Sequence, residues 1–309
     1  MTKDEILRAI AAERRNLLAL LRTLEPEQWE TIALPGWRVR EVAAHVITLD
    51  IAGVTGPLLP VALRHDAERL ERWNDRQVPR WANRPITDLL LGLDRWGGRF
   101  RRMAKTIPGP LYRMTLPTLW GRAPGGLLIW SRAYDEWVHR HDVRRALGMP
   151  DETVDVAPAA EFVLEAMKSD TLPRLQGRTG SIAVSLEGTP LPEWVFDVGA
   201  QTAGPAPGPS GPADATISAP GNAFVMMAAR RDPWEELRSK SVLRVEGDEA
   251  LGTEFLSRAL GGLRAVKRRP RAPGPRAAPS PGAGSAEPAR SKGPPGSARG
   301  CLEPGPSNA

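Results

Sequence analysis

The stretch LLIWSRAYDEWVHRHDVRRALG, residues 127–148, decides the fold. It predicts a long helix that is closed by Gly148 and stopped by Pro150, since glycine favours the turn after a helix and proline cannot continue one. Asp135 and His139 are four residues apart, so a helix places them on one face. A carboxylate and an imidazole at this spacing can hold a divalent metal ion, but the same spacing also describes an ordinary helix pair.

The neighbouring charged residues point in different directions around this helix. Asp142 falls on the face of Asp135 and His139, within an arc of about 60°. Glu136 and His141 are turned about 100° and about 120° away from Asp135, so we predict that neither is a ligand. Asp142 is predicted either to hydrogen-bond a metal ligand without contacting the metal itself or to form a plain salt bridge between helices.

Four main helices, with shorter pieces between them, account for the first half of the chain. Apolar residues recur at helical spacing in 3–24, 38–53, 85–104 and 127–148, and a shorter helix is predicted over 64–76. This pattern predicts a four-helix bundle over residues 1–152, and such bundles carry metal sites between facing helices. His45 is the candidate third ligand, although a lone histidine on an apolar face is more often an ordinary core residue. The segment 107–126, rich in proline and glycine, predicts a long loop that forms a lid or a wall of the site.

After Pro150 short strands and helices are mixed, which predicts a small α+β domain over 153–264. From residue 265 to 309 we predict a disordered tail, because ten prolines and seven glycines follow from Pro270 onward without apolar periodicity. The net charge of the chain is +6, but the residues from Arg264 onward hold nine Lys or Arg and two Glu. The body is therefore nearly neutral, and the basicity argues little for nucleic acid.

The remaining composition predicts a cytoplasmic protein. The single cysteine, Cys301, lies in the predicted tail, so the body has no disulfide framework and no thiol nucleophile of its own. The first residues, MTKDEILRAI, predict a charged amphipathic helix rather than a signal segment. The most apolar run, 42–63, contains a histidine, an aspartate and two prolines, so we predict no membrane span.

Two spaced motifs resemble those of a known family. LPGWRVREVAAHV (34–46) resembles the first signature of the mycothiol-dependent maleylpyruvate isomerase family, except that Arg38 stands where a helix-capping Ser or Thr is usual. DEWVHRHDVRRALG (135–148) resembles the second signature. The bundle is similar to the DinB-like metal-binding fold, and the second domain, with VEGDEALGTEFLSRAL (245–260), is similar to a sterol-carrier-protein-like domain.

The resemblance implies a zinc ion held by His45, Asp135 and His139. Asp135 stands where the family has glutamate and is one methylene shorter, which leaves iron or nickel as alternatives. The resemblance also implies mycothiol as the thiol cofactor, whose thiolate adds to the cis double bond of maleylpyruvate so that the bond can rotate. Because that substrate is a dianion, the resemblance points to Arg230, and more weakly to Arg76, as catalytic arginines.

The sequence therefore agrees with two functions. The first is a metal-dependent, mycothiol-using isomerase or S-transferase that acts on a small electrophilic substrate. The second is a non-catalytic protein whose second domain binds a small apolar ligand and whose metal site is vestigial, and the aspartate at position 135 favours it. Neither nucleic acid nor a membrane is an expected partner, and the sequence does not give the oligomeric state.

Overall fold

The computed structural model describes residues 1–56, 67–151, 155–206 and 212–259. The predicted tail over 265–309, Cys301 and the predicted domain boundary at 152/153 lie outside these residues, as does the beginning of the helix predicted over 64–76. Within the described ranges, no helix has both the length and the apolar character needed to cross a membrane.

The first half of the described chain is helical, as predicted. Its helices are α1 (Lys3–Arg22), α2 (Val39–Thr55), α3 (Ala67–Ala82), α4 (Ile86–Thr106), the short α5 (Gly109–Arg113) and α6 (Gly125–Ala146). Helix α1 begins with a capping box, in which Thr2 and Glu5 each accept a hydrogen bond from the backbone N–H of the other. At α2 the carboxylate of Glu41 accepts a hydrogen bond from the backbone N–H of Arg38 at 2.9 Å and also binds its guanidinium. This bond is only the Glu half of a capping box, because an arginine side chain cannot accept the hydrogen bond that a Ser or Thr cap would accept.

Helix α6 is the predicted central helix, and it ends as its sequence indicates. Gly148 has a φ of 66°, the left-handed conformation that glycine adopts without strain. The N–H of Gly148 donates to the carbonyl oxygen of Arg145 at 3.1 Å, and the N–H of Met149 donates to that of Arg144 at 2.9 Å. This paired arrangement is a Schellman motif, and it satisfies carbonyl groups that the end of the helix leaves free.

The prediction of a long loop over 107–126 is wrong. Helix α5 and a hairpin of β3 (Thr115–Thr118) and β4 (Gly121–Pro124) occupy this segment. Proline lacks the N–H that a strand ladder needs, so the prolines of this segment obscured its pairing in the sequence. A second, shorter hairpin, β1 (Ile32–Leu34) with β2 (Trp37–Arg38), leads directly into α2.

The second half of the described chain is an α+β domain, as predicted. Its elements are α7 (Val156–Asp170), β5 (Ser181–Glu187), β6 (Trp194–Asp197), β7 (Thr202–Pro205), β8 (Ala215–Pro220), α8 (Gly221–Ala228), α9 (Trp234–Ser239), β9 (Arg244–Gly247) and α10 (Glu249–Arg258). The described strands form one sheet in the order β7-β6-β5-β8-β9, in which only β5 and β8 are parallel. The sequence did not predict β7, because it lies in the Gly- and Pro-rich stretch 199–212.

Two apolar cores hold these elements together. One joins α1, α2, α3 and α4 and includes the buried side chains of Leu17, Trp29 and Val42. The other joins α6 to α7 and to the sheet, and it includes Trp137 and Phe162, both fully buried. Helix α7 therefore packs on the bundle as well as on its own domain, and the two halves of the chain share a core.

A buried acid on α1 gives the fold a pH dependence. Oε2 of Glu13 lies 3.3 Å from Nε of Arg140, and the Glu13 side chain is almost fully buried. Burial raises the pKa of Glu13 from 4.5 to about 7; Arg140 opposes the rise, and the nearby charges of Glu136 and Asp155 add to it. Between pH 4.5 and about 7, Glu13 is therefore protonated in the folded chain but ionised in the unfolded chain. The free energy of unfolding therefore falls as the pH rises from 4.5 to about 7.

We expect Glu13→Gln to remove this loss, because glutamine does not titrate. Between about pH 5 and about pH 8 the parent chain should lose about 2–3 kcal/mol more of its unfolding free energy than the variant does. Urea denaturation at a series of pH values measures the difference, with the exposed Glu235→Gln as the matched control. Parallel pH profiles for the parent and Glu13→Gln would show that Glu13 is ionised in the folded chain.

Candidate metal centre

Three side chains from two helices converge at one point. His45 comes from α2, and Asp135 and His139 come from α6. Oδ1 of Asp135 lies 3.7 Å from Nε2 of His45 and 3.6 Å from Nε2 of His139. One ligand atom from each residue lies within 4.8 Å of the others. Both imidazoles are buried, and the carboxylate is one-quarter exposed, so the group is reached from the side of Asp135.

These distances fit a divalent metal ion. In a tetrahedral zinc site with bonds of about 2.0–2.2 Å, neighbouring ligand atoms are about 3.3–3.6 Å apart. Of the two contacts of Asp135 with the imidazoles, 3.6 Å lies at the upper end of that range and 3.7 Å exceeds it by about 0.1 Å. Two imidazoles and one carboxylate are also a donor set that zinc and similar ions accept in catalytic sites. The shorter aspartate therefore places a carboxylate oxygen at distances from both imidazoles that are compatible with a shared ion.

Arg132 orients Asp135. Its Nη1 donates to Oδ2 of Asp135 at 2.8 Å, so Oδ1 is the oxygen that faces the imidazoles. Arg132 is itself held by Asp50, 3.3 Å from Nε, and by the carbonyl oxygen of Val46, 3.3 Å from Nη2. Burial alone would raise the pKa of Asp135, but the charges of His139 and Arg132 outweigh it and hold this pKa below its ordinary value. Arg132 was not among the residues predicted from the sequence, although its spacing of three residues from Asp135 was a usable signal.

His139 is held by a hydrogen bond on the ring nitrogen that faces away from Asp135. Its Nδ1 lies 2.9 Å from Oδ2 of Asp142. Such a bond places the proton on Nδ1 and leaves the lone pair of Nε2 free for a metal. Burial alone would raise the pKa of Asp142, but hydrogen bonds from Arg231 and His139 lower it, so Asp142 is ionised. Asp142 combines the two predicted roles, since it supports His139 and forms a salt bridge, although its partner lies in the second domain.

His45 is held differently, by ring packing. Its ring centroid is 4.9 Å from that of Trp37 and 5.0 Å from that of His139, which it meets edge-on. Its Nδ1 is buried and has no hydrogen-bond partner in the described part of the chain. Burial lowers the pKa of His45 and so favours the neutral imidazole, which is the form that binds metals.

Glu136 and His141 lie away from the three converging side chains. Nδ1 of His141 is 2.9 Å from the carbonyl oxygen of Trp137, and the two rings stack at 3.7 Å. Glu136 is fully buried and accepts two hydrogen bonds from Arg14, from Nε at 2.8 Å and from Nη2 at 2.6 Å. The same Nη2 donates to Asp50 at 2.6 Å. The helix face predicted for Glu136 and His141 therefore agrees with their positions.

Two arginines suggested by the resemblance occupy different places. Arg76 is exposed on α3, and none of the contacts found in the described residues joins it to the three converging side chains. Arg230 is exposed just after α8 and has a left-handed backbone, with a φ of 58°. The next residue, Arg231, binds Asp142. The catalytic roles of Arg230 and Arg76 stay predictions.

Comparisons with known proteins agree with this architecture. Residues 10–144 match the family of the mycothiol maleylpyruvate isomerase N-terminal domain, and residues 162–257 match the SCP-2 sterol transfer family. A crystal structure of the mycothiol-dependent maleylpyruvate isomerase is similar to the chain with a TM-score of 0.50 at 16% identity, over 75% of this chain and 90% of that one. A histidine-to-alanine mutant of the mycothiol-dependent maleylpyruvate isomerase has a TM-score of 0.49 at 15% identity, with the same coverage. No curated protein matches the chain in sequence. At these identities the structural likeness shows the fold.

Proposed function

We propose that this chain, which belongs to the mycothiol maleylpyruvate isomerase family, is a metal-dependent enzyme that uses a small thiol on a small electrophilic substrate. The convergence of His45, Asp135 and His139 carries the proposal, because these residues fit a divalent ion with one side accessible. Zinc is the expected ion and mycothiol the expected thiol. The reaction is either the cis–trans isomerisation of a compound such as maleylpyruvate or the transfer of the thiol to another electrophile.

The residues of this chain would hold and orient the reacting groups. A bound divalent ion would lower the pKa of a coordinating thiol, and mycothiol would provide the nucleophilic sulfur. Arg132 keeps one oxygen of Asp135 occupied, so that the carboxylate offers the other. The ring of Trp37, buried beside His45, excludes water from that side of the centre. Arg230, exposed at the end of α8, is the proposed contact for an anionic substrate group.

The alternative of a carrier for apolar ligands requires space inside the second domain. Phe196, Phe224 and Phe255 are fully buried there, and the rings of Phe196 and Phe255 meet at 4.9 Å. Phe196 lies on β6, Phe224 on α8 and Phe255 on α10, so these rings belong to the packed core between the sheet and its helices. We therefore rank the carrier below the enzyme.

Cobalt substitution tests whether the centre accepts a thiol. Adding a small thiol to the cobalt-loaded chain should produce an intense charge-transfer band, because sulfur is a soft donor, and should release about one proton per site. The variant Asp135→Glu should bind metal at least as well as the parent and should give the same band. Isomerisation of maleylpyruvate that requires both metal and mycothiol would then identify the reaction. If thiols leave the cobalt spectrum of the parent and of Asp135→Glu unchanged, and no thiol-dependent turnover is found, a structural metal site is favoured.

A further inference from the structure

A residue of the second domain is connected to a proposed metal ligand through a single carboxylate. Arg231 donates two hydrogen bonds to Asp142, from Nε to Oδ1 at 2.8 Å and from Nη2 to Oδ2 at 2.9 Å. The same Oδ2 is the atom that lies 2.9 Å from Nδ1 of His139. The Asp142 side chain is only 3% exposed, so its hydrogen bonds come from the protein rather than from bulk water.

The end of α8 sets the position of Arg231. Arg230 and Arg231 close this helix with a Schellman motif, in which their N–H groups donate to the carbonyl oxygens of Met227 and Met226, each at 2.9 Å. Arg230 takes the left-handed position that glycine usually occupies, and a side chain there costs about 1 kcal/mol. Nη1 of Arg231 also donates to the carbonyl oxygen of Ala229 at 2.9 Å, which fixes the plane of the guanidinium.

A second ion pair secures the same segment to α6 at a different point. Asp232 accepts two hydrogen bonds from Arg145, at 2.9 Å and 3.0 Å. Arg145 lies three residues after Asp142, so two adjacent residues of the second domain bind two residues on one side of α6. Only the Arg231 pair leads to a residue of the metal centre. A variant of Asp232 should therefore weaken the docking of the segment without acting on His139.

We propose that Arg231 is a positioning residue of the metal centre, acting through Asp142 on His139. Arg231 donates two hydrogen bonds to this buried carboxylate, so the orientation of Asp142 depends on Arg231. Without Arg231 the carboxylate keeps, among the hydrogen bonds described here for it, the contact with His139 and can rotate away from that ring. His139 then loses the acceptor that holds its ring and its tautomer. Partners of this kind typically change metal affinity by about 10- to 100-fold.

The contrast with His45 makes this connection important for the site. Nδ1 of His45 has no hydrogen-bond partner among the described residues, and the ring packs on Trp37 while its Nε2 faces Asp135. Asp135 is oriented by Arg132, within its own helix. Among the described residues, hydrogen bonds through Asp142 join His139 to Arg231 of the second domain. The inference rests on the proposed metal site and assigns the second domain a part in it.

Metal affinity, measured by competition with a chromophoric chelator, tests the inference on the full chain. Arg231→Met should weaken zinc binding by about 10- to 100-fold and alter the absorption spectrum of the cobalt form. Arg231→Lys, which keeps the charge but not the two-pronged geometry, should recover part of the loss. The matched control Asp232→Asn breaks only the neighbouring ion pair, and its zinc affinity should stay within about twofold of the parent.

A double-mutant cycle tests the route through Asp142. In the background of Asp142→Asn, adding Arg231→Met should change the zinc affinity by less than about twofold, since the connection is already broken. Parental affinity in a folded Arg231→Met chain would overturn the inference while leaving the metal site intact. An equal loss in Asp232→Asn, or a full additional loss in the double variant, would also overturn it, because docking alone would then explain the effect. A parent chain that binds no metal would refute the proposed function and this inference with it.

Discussion

Replacing His45 or His139 with alanine should lower the affinity for a divalent metal by more than about 100-fold, a larger loss than removal of a supporting residue causes. Each variant removes one of three donors from a group whose atoms lie within 4.8 Å of one another. Alanine offers no replacement donor, and the remaining two residues would have to complete their coordination with water. The metal content of the purified chains after dialysis against a mild chelator gives the result directly.

The matched control is a histidine on the same helix. His141→Gln should keep the metal content of the parent, because its ring stacks on Trp137 away from the centre. Full metal occupancy in both His45→Ala and His139→Ala would show that the ion binds elsewhere. Substantial loss of metal from His141→Gln would show that α6 presents a different face to the centre.

The second large effect is expected from Glu136→Ala, which should destabilise the fold by about 3–5 kcal/mol. Glu136 is fully buried and carries two hydrogen bonds from Arg14, so its removal leaves much of a buried positive charge uncompensated. The guanidinium of Arg14 has little room to move, since a side chain at Gly97 of α4 would collide with it. Urea denaturation, with the slope of the transition as a check on two-state behaviour, measures the loss.

Two controls separate charge from packing in this prediction. Replacing both Arg14 and Glu136 with methionine should cost less than Glu136→Ala alone, because no charge of the pair is then left behind. Glu236→Ala breaks an ion pair with Lys240 on the exposed surface, where water screens the charges, and should leave the unfolding free energy nearly unchanged. A single-variant loss at Glu136 as small as the loss at Glu236 would mean that water reaches Arg14 in the folded chain.

Local patterns in the sequence were sufficient for α6 and for the shared face of Asp135 and His139. Helical periodicity fixes which residues share a face without any knowledge of the partners. The position of His45 beside them depended on the first motif, since periodicity alone left it as a possible core residue. The end of α6 at Gly148 also followed from residue type.

Contacts between distant residues could not be predicted in the same way. Arg14 and Glu136 are 122 residues apart, and Arg231 and Asp142 are 89 residues apart, with no local feature marking either pair. The burial of α6 could not be predicted from amphipathic spacing either. This helix is buried on nearly every side, because its charged side chains bind protein partners rather than water. The strand β7 was missed for the opposite reason, since its glycine and proline indicate a loop while its neighbour β6 supplies the pairing.

The core that α7 shares with α6 limits which second domains could be joined to this helical bundle. Residues matched as the SCP-2 family begin inside α7, yet the same helix contacts the bundle through Phe162 and its neighbours. A homologous second domain transplanted onto this bundle would therefore need a helix with a complementary surface, in addition to a linker of suitable length. Substitutions on the facing sides of α6 and α7 are consequently expected to be tolerated in matched pairs rather than singly.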